Sequence, residues 1–235
     1  MTPAMITPLT AEEFEALRRW DTCTLANAIE TFHVRLRNEG FADGSIRCQF
    51  PGLPPILGYA ATVTIRGSAP PTAGSLYLDR TDWWDYVVSV PSPRMVVVQD
   101  VATLPGLASL LGAVHINILR ALGCVGAVTN GAVRDVPAVE EIGFQLFAGG
   151  MTPSHGYVHI IEFGKPVEVG GLKINSGDLV HGDRHGVQSI PLDIATRVPA
   201  VAEAIAAREK KLIALCQSPD FTVEKLRDAV AEDGS

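Results

Sequence analysis

The sequence predicts an α/β fold in a single domain, on three observations. Apolar segments at helical spacing alternate with short β-branched runs through much of the chain. With 235 residues, 47% hydrophobic and 19% charged, the chain can bury a sizeable core as one unit. No internal repeat and no low-complexity linker divides it.

The elements follow in order. Thr10-Ala11-Glu12-Glu13 has the spacing of a capping box, with Phe14 and Leu17 next at helical spacing, so a first helix begins near Ala11. A second runs from Thr22 to Phe32, with Leu25, Ile29 and Phe32 on one face. Gly40 to Pro55, rich in glycine and proline, reads as a surface connection. Strands are expected at Gly58 to Arg66 and, after the Pro91-Ser92-Pro93 break, at Met95 to Gln99, with a helix over Tyr77 to Val88 between them. Leu110 to Leu122 forms a helix closed by Gly123. Cys124 to Thr129 is then a buried strand, with Asn130-Gly131 marking a turn. Pro137 suits the first turn of a short helix that ends near Gly143, and Gln145 to Ala148 is a further strand.

The pattern then changes. Tyr157 to Phe163, Val167 to Val169, Leu172 to Ile174, Asp178 to His181 and Gly186 to Ile190 are short strands in antiparallel hairpins, with Gly170-Gly171 a two-residue turn. Leu192 to Cys216 and Phe221 to Val230 are helices that pack on the core or meet a partner subunit. The expected domain is therefore 1–235, with a core of about 22–191 and a helical extension of about 192–235.

Composition excludes some functions. A net charge of -7 without a basic stripe argues against sequence-independent nucleic-acid binding. Cys23, Cys48, Cys124 and Cys216 show neither metal-ligand spacing nor disulfide density, which suggests a reducing, cytoplasmic setting. No signal-like leader and no span long enough for a bilayer is seen, so neither membrane nor export is expected.

The chemistry-bearing motif is Arg134-Asp135, at the carboxyl end of the buried strand and just before Pro137. Strand ends of this kind are where α/β proteins place ligands. The guanidinium offers a planar fork to an oxyanion, and the carboxylate offers a hard oxygen to a divalent cation. A second group, His155, His159, His181, Asp183 and His185, reads either as a cation or anion site or as ordinary structural and surface histidines; it lacks a recognised zinc spacing. Gly126 to Gly131 lacks both the dinucleotide glycine pattern and the lysine of a phosphate loop. Of Trp83 and Trp84, one is expected in the core, with Asp79, Asp82 and Asp85 in water.

Gly112 to Asp135 followed by Val136-Pro137, together with Ser176-Gly177-Asp178-Leu179-Val180-His181-Gly182-Asp183-Arg184-His185-Gly186-Val187, resembles the RraA-like family. Its motif is a glycine opening a helix and, further on, Asp-Gly-x-x-Arg-Asp, here Asn130-Gly131-Ala132-Val133-Arg134-Asp135. The resemblance is to the class II pyruvate aldolase branch, which includes 4-hydroxy-4-methyl-2-oxoglutarate aldolase and also acts on oxaloacetate. It implies an αββα-type sandwich like the swivelling phosphohistidine domain, with extra terminal helices, and assembly into homotrimers or homohexamers with sites at subunit boundaries. It further implies a Mg²⁺ or Mn²⁺ ion on Asp135 and a small 2-oxo acid whose pyruvyl part meets Arg134. Gly112 would open the substrate loop, with the amides of Ala113, Val114 and His115 receiving the substrate carboxylate.

Two positions depart from that pattern. Ala113 stands where aldolases commonly carry an acid that orders metal-bound water, and Asn130 stands where aspartate is frequent. The side chains of His115 and Asn117 either turn toward the ion or belong to an ordinary helix surface. The expected activity is a metal-dependent carbon–carbon lyase that releases pyruvate through an enolate. The alternative is a non-catalytic regulator that binds a protein partner, a branch of ribonuclease E inhibitors that lacks the aspartate present here as Asp135.

Overall fold

The computed structural model describes residues 8–71 and 80–233, so the first part of the helix expected from Tyr77 lies outside the described residues. The helices are α1 (Ala11–Arg18), α2 (Thr22–Glu30), α3 (Thr81–Ser89), α4 (Ala113–Ala121), α5 (Val136–Glu141), α6 (Val198–Gln217) and α7 (Val223–Asp233). The strands are β1 (Arg47–Cys48), β2 (Ile56–Arg66), β3 (Arg94–Asp100), β4 (Cys124–Val133), β5 (Gln145–Met151), β6 (His159–Phe163), β7 (Val167–Val169), β8 (Leu172–Ile174), β9 (Leu179–Asp183) and β10 (Gly186–Ile190). Thr10 caps α1 in a full capping box: its hydroxyl accepts from the Glu13 amide, and the Glu13 carboxylate accepts from its own.

Strands β2, β3, β4 and β5 are parallel neighbours, as expected where helices cross between strands. The eleven-residue β2 carries two antiparallel partners on its other edge: β9 against Ile56 to Tyr59, and β6 against Val63 to Arg66. With β1 on β5 and β10 on β9, one sheet of eight strands results. It curls back on itself. Although β4, β3 and β2 lie between β5 and β9, a Cβ built on Gly182 of β9 would come within 2.6 Å of the Phe147 ring of β5, so only glycine lets the two strands close.

The core divides by face. Leu57, Tyr59, Ala61, Val63 and Ile65 alternate along β2 toward the helices, where they meet Phe14 and Leu17 of α1, Leu25 and Ile29 of α2, Trp83 of α3, Ile116 of α4 and Val198 of α6. The other face buries Ala60, Met95, Val97, Val128, Phe147 and Val180 against Val167, Val169, Leu172 and Ile174 of the β7–β8 hairpin. The hairpin turns through Gly170 and Gly171 at φ 55° and 74°, the left-handed conformation such a turn requires.

The α/β class is thus realised as a curled sheet clothed by helices, with a small hairpin on its other face. The strand expected to stop at Thr129 continues to Val133. Instead of turning at Asn130-Gly131, it changes register against β5 between Thr129 and Ala132. The hydroxyl of Thr129 accepts from the Gly131 amide at 2.9 Å, so a bulge satisfies the backbone there without ending the strand. The surface connection before β2 also does more than expected: it supplies β1 and buries Ile46 and Phe50.

Candidate active site

Arg134 and Asp135 leave the carboxyl end of β4 together. The Arg134 amide donates to Leu111 O at 3.1 Å, tying the strand end to the segment that enters α4. Asp135 takes up a left-handed conformation at φ 57°, rare for a residue with a side chain and costing on the order of 1 kcal/mol or more. Its backbone opens α5, yet its carboxylate does not cap that helix. Oδ2 instead accepts from the amide of Ala113, the first residue of α4, at 2.9 Å. Arg134 Nε lies 3.4 Å from the same oxygen without forming a hydrogen bond. The two side chains are 29% and 37% exposed, which leaves both the guanidinium and the carboxylate accessible to a ligand.

Gly112 explains how this geometry is possible. A Cβ there would stand 3.0 Å from Arg134 Cγ and 3.0 Å from Asp135 Oδ2, so any side chain would push against both groups. Lacking a side chain, Gly112 cannot cap α4, and the positive end of that helix meets Asp135. The site therefore gathers a carboxylate, a guanidinium and a helix start from two stretches of chain.

Two supporting residues were not identified as such by sequence reasoning. Asp100, buried at the end of β3, accepts from the Ala102 amide at 2.9 Å and the Gly106 amide at 3.1 Å, shaping the segment that leads to Gly112. Asn130 binds the backbone of Asp100 in both directions: Oδ1 accepts from its amide at 2.7 Å and Nδ2 donates to its carbonyl at 3.0 Å. An aspartate could accept but not donate. The asparagine is thus more than an aspartate lacking charge. The available signal was the pairing of an acid at one strand end with an amide at the next.

The structure puts His115 in the core, neither at the ion nor on an ordinary helix surface, and bonds Asn117 along its own helix. His115 is buried; its Nδ1 lies 3.1 Å from Leu110 O, and its Nε2 accepts from Trp83 Nε1 at 3.3 Å. Together these contacts select the neutral ring with the proton on Nδ1. Burial pushes its pKa down to about 4. Asn117 donates to Ala113 O, back along its own helix. Trp83 packs in the core as expected, and Asp82 and Asp85 face water, while Asp79 lies outside the described residues. Of the amides expected to receive a carboxylate, that of Ala113 is engaged by Asp135, while Val114 is exposed at the helix start.

The histidine group does not assemble. Along β2, His159 lies opposite Arg66, whereas His181 lies opposite Leu57, at the other end of the same strand. Strand pairing sends His155 and His159 to one end of the sheet and His181 to the other. His181 is buried beside Thr22, with its Nδ1 3.3 Å from the Thr22 hydroxyl, and burial lowers its pKa to about 4. Asp183 accepts from the amides of Thr22 and His185 at 2.9 and 2.8 Å. A cavity of about 650 Å³ opens at the amino ends of the parallel strands, lined by Phe14, Arg18, Pro55, Pro93, Arg120 and Phe144, and contains neither Arg134 nor Asp135.

The protein-family model described as RraA-like, Aldolase/RraA, matches residues 22–188. A Halalkalibacterium halodurans protein provisionally named 4-hydroxy-4-methyl-2-oxoglutarate aldolase is 34% identical over 101 residues, 43% of this chain and 48% of that one. Protein DlpA of Legionella pneumophila is 25% identical over 146 residues, 61% of this chain and 23% of DlpA. The matches thus span about half or less of these relatives' lengths. Among solved structures, an uncharacterized protein from Pseudomonas syringae pv. tomato covers 96% of this chain, and 97% of its own, at 24% identity and a TM-score of 0.74. Streptomyces coelicolor RraAS2, described as an unusual member of the RNase ES inhibitor RraA family, covers 89% of this chain, and 98% of its own, at 21% identity and a TM-score of 0.67. At these identities the two structures establish the shared fold.

Proposed function

The chain belongs to the RraA-like family, and from that premise we propose that it is a divalent-metal-dependent carbon–carbon lyase, cleaving a 4-hydroxy-2-oxo acid or decarboxylating oxaloacetate to give pyruvate. The observation that carries this reading is the carboxylate of Asp135, turned away from its own helix and set beside the Arg134 guanidinium at the start of α4.

The donor set suits a hard cation. Oδ2 is engaged by Ala113, and Oδ1 remains for the ion. A single half-exposed carboxylate with water at the other positions matches Mg²⁺ or Mn²⁺ better than a closed zinc site. When bound, the ion supplies positive charge that favours electron density on a keto oxygen.

The residues of the chain do the rest. Arg134 binds the pyruvyl oxygens of the substrate, and its positive charge opposes the negative charge that develops there. The amides of Val114 and His115 at the start of α4, and that helix's dipole, favour the substrate carboxylate, while the Ala113 amide holds Asp135. In the aldol substrate the hydroxyl loses its proton, the bond between its carbon and C3 of the pyruvyl unit breaks, and the electron pair passes to the C2 oxygen as an enolate. Oxaloacetate loses CO₂ to the same enolate, and a proton returned to C3 completes pyruvate. No Schiff-base lysine is needed. Exposed Leu104, Leu107 and Val114 near the site support assembly into a trimer or hexamer that covers it.

The test is a lactate dehydrogenase-coupled assay for pyruvate, with oxaloacetate and a panel of 4-hydroxy-2-oxo acids, with and without Mg²⁺. Metal-dependent pyruvate from at least one acid is expected. Its absence across the panel would contradict the lyase reading and favour a partner-binding role.

A further inference from the structure

At the opposite end of the sheet, the start of α2 meets the β9–β10 hairpin. Asp21, Cys23 and His185 each present one ligand atom there, and the three atoms all lie within 4.8 Å of one another. We propose that these residues form a second metal site, separate from Asp135, that binds Zn²⁺ and clamps the amino end of α2 to the hairpin.

The donor types carry the choice of ion. One thiolate sulfur, one imidazole nitrogen and one carboxylate oxygen form the mixed set that tetrahedral zinc accepts, with water in the fourth position. Mg²⁺ has little affinity for such a set. Zinc bond lengths of roughly 2.0 to 2.3 Å put tetrahedral ligand atoms about 3.5 Å apart. Reaching that from the present spacing needs only rotamer changes, and the Cys23 and His185 side chains are exposed and able to make them. The two anionic ligands neutralise a divalent ion.

The surroundings prepare the site as they would a metal-binding histidine. The His185 Nδ1 lies 3.2 and 3.3 Å from the two oxygens of the buried Asp183. A carboxylate on one ring nitrogen fixes the tautomer and aims the lone pair of the other, Nε2, outward. Asp183 also accepts from the Thr22 amide, so the same carboxylate sets the segment between Asp21 and Cys23. Asp21 holds its place by accepting from the Thr24 amide and hydroxyl at 2.8 and 2.9 Å, one bond to each oxygen, which leaves each a further lone pair.

An independent observation lies in the cavity of about 230 Å³ that Cys23 and His185 line together with Gln188. Gln188 is fully buried; its Nε2 donates to Thr22 O at 2.8 Å, and its Oε1 has no hydrogen-bond partner. An unpaired buried acceptor calls for a donor, and a water on a bound ion would be one. The ligands come from distant parts of the chain, so binding would join α2 to the hairpin and stabilise the native state.

The test uses full-length protein freed of metal by a chelator, titrated calorimetrically with Zn²⁺ alone, and separately with Co²⁺ followed by absorption. Wild type, Cys216→Ser and Asp135→Asn should each bind one equivalent of Zn²⁺ tightly. Cys23→Ser and His185→Asn should bind it at least about 100-fold more weakly. Co²⁺ should give a thiolate charge-transfer band that Cys23→Ser abolishes, and Zn²⁺ should raise the unfolding midpoint of wild type but not of Cys23→Ser. The proposal is overturned if wild type takes up no Zn²⁺, if Cys23→Ser and His185→Asn bind as wild type does, or if the binding is lost with Cys216→Ser or Asp135→Asn. Loss in Asp135→Asn alone would assign the zinc to the lyase site.

Discussion

The two ends of the curled sheet both carry charged and nitrogenous side chains, but they are built in opposite ways. At the carboxyl ends of the parallel strands, Arg134 and Asp135 are adjacent in sequence, half-exposed and held by backbone groups. At the amino ends, His181 and Asp183 are buried and spent on Thr22 and His185, while half-buried Asp21 and exposed Cys23 meet exposed His185 only through folding. The contrast separates side chains left accessible at one strand end from the buried His181 and Asp183, whose hydrogen bonds hold structure together.

Arg134→Ala tests that contrast with a large change in rate. On the proposed mechanism, removing the Arg134 guanidinium should lower turnover by on the order of 10² to 10³. Steady-state kinetics should place the loss in kcat more than in KM, while thermal unfolding stays near wild type because the side chain is partly exposed.

Acid stability sharpens the comparison from the other side, because each end buries a neutral histidine. His115 and His181 both titrate near about 4 in the folded protein, held down by burial. Unfolded, they titrate near about 6.5. The unfolded chain therefore takes up protons first, and stability present above about pH 6.5 is lost as pH falls toward about 4. At pH 5 each histidine should have cost roughly 2 kcal/mol relative to pH 7. Urea unfolding at the two pH values measures this, and His181→Gln should remove about half of the dependence.

Gly112→Ala should lower turnover by roughly 10- to 100-fold with little change in unfolding midpoint, since the new Cβ presses on Arg134 and Asp135, the groups proposed to hold substrate and ion. A variant as active as wild type would show that the close approach of Gly112 is incidental. The smallest expected effect is Asn130→Asp, which loses the donor to Asp100 O and sets a second carboxylate beside Asp100. A cost of about 1 to 3 kcal/mol is expected in denaturant unfolding at pH 7.

Much of the fold could be read from residue patterns. The capping box at Thr10, the β-branched core of β3 and the paired glycines between β7 and β8 each declared a local conformation. The placement of Arg134-Asp135 was legible because both residues ride one strand end, and strand ends are informative. The histidine group misled for the converse reason. Proximity along the chain says nothing of which half of β2 a later strand will pair with, and β6 and β9 chose different halves. Asp100 and Asn130 were opaque because their roles depend on the register of β3 against β4. The bulge at Thr129 hid in a dipeptide that more often marks a turn.

The most direct test of the central claim is pyruvate release by Asp135→Asn beside wild type, measured against Mg²⁺ concentration with the best acid of the panel. Wild type should respond to the ion with saturation, and the variant, folded as judged by circular dichroism, should fall by on the order of 10³ and lose that response. A variant that releases pyruvate at the wild-type rate with the wild-type Mg²⁺ dependence would contradict the assignment of Asp135 as the metal anchor.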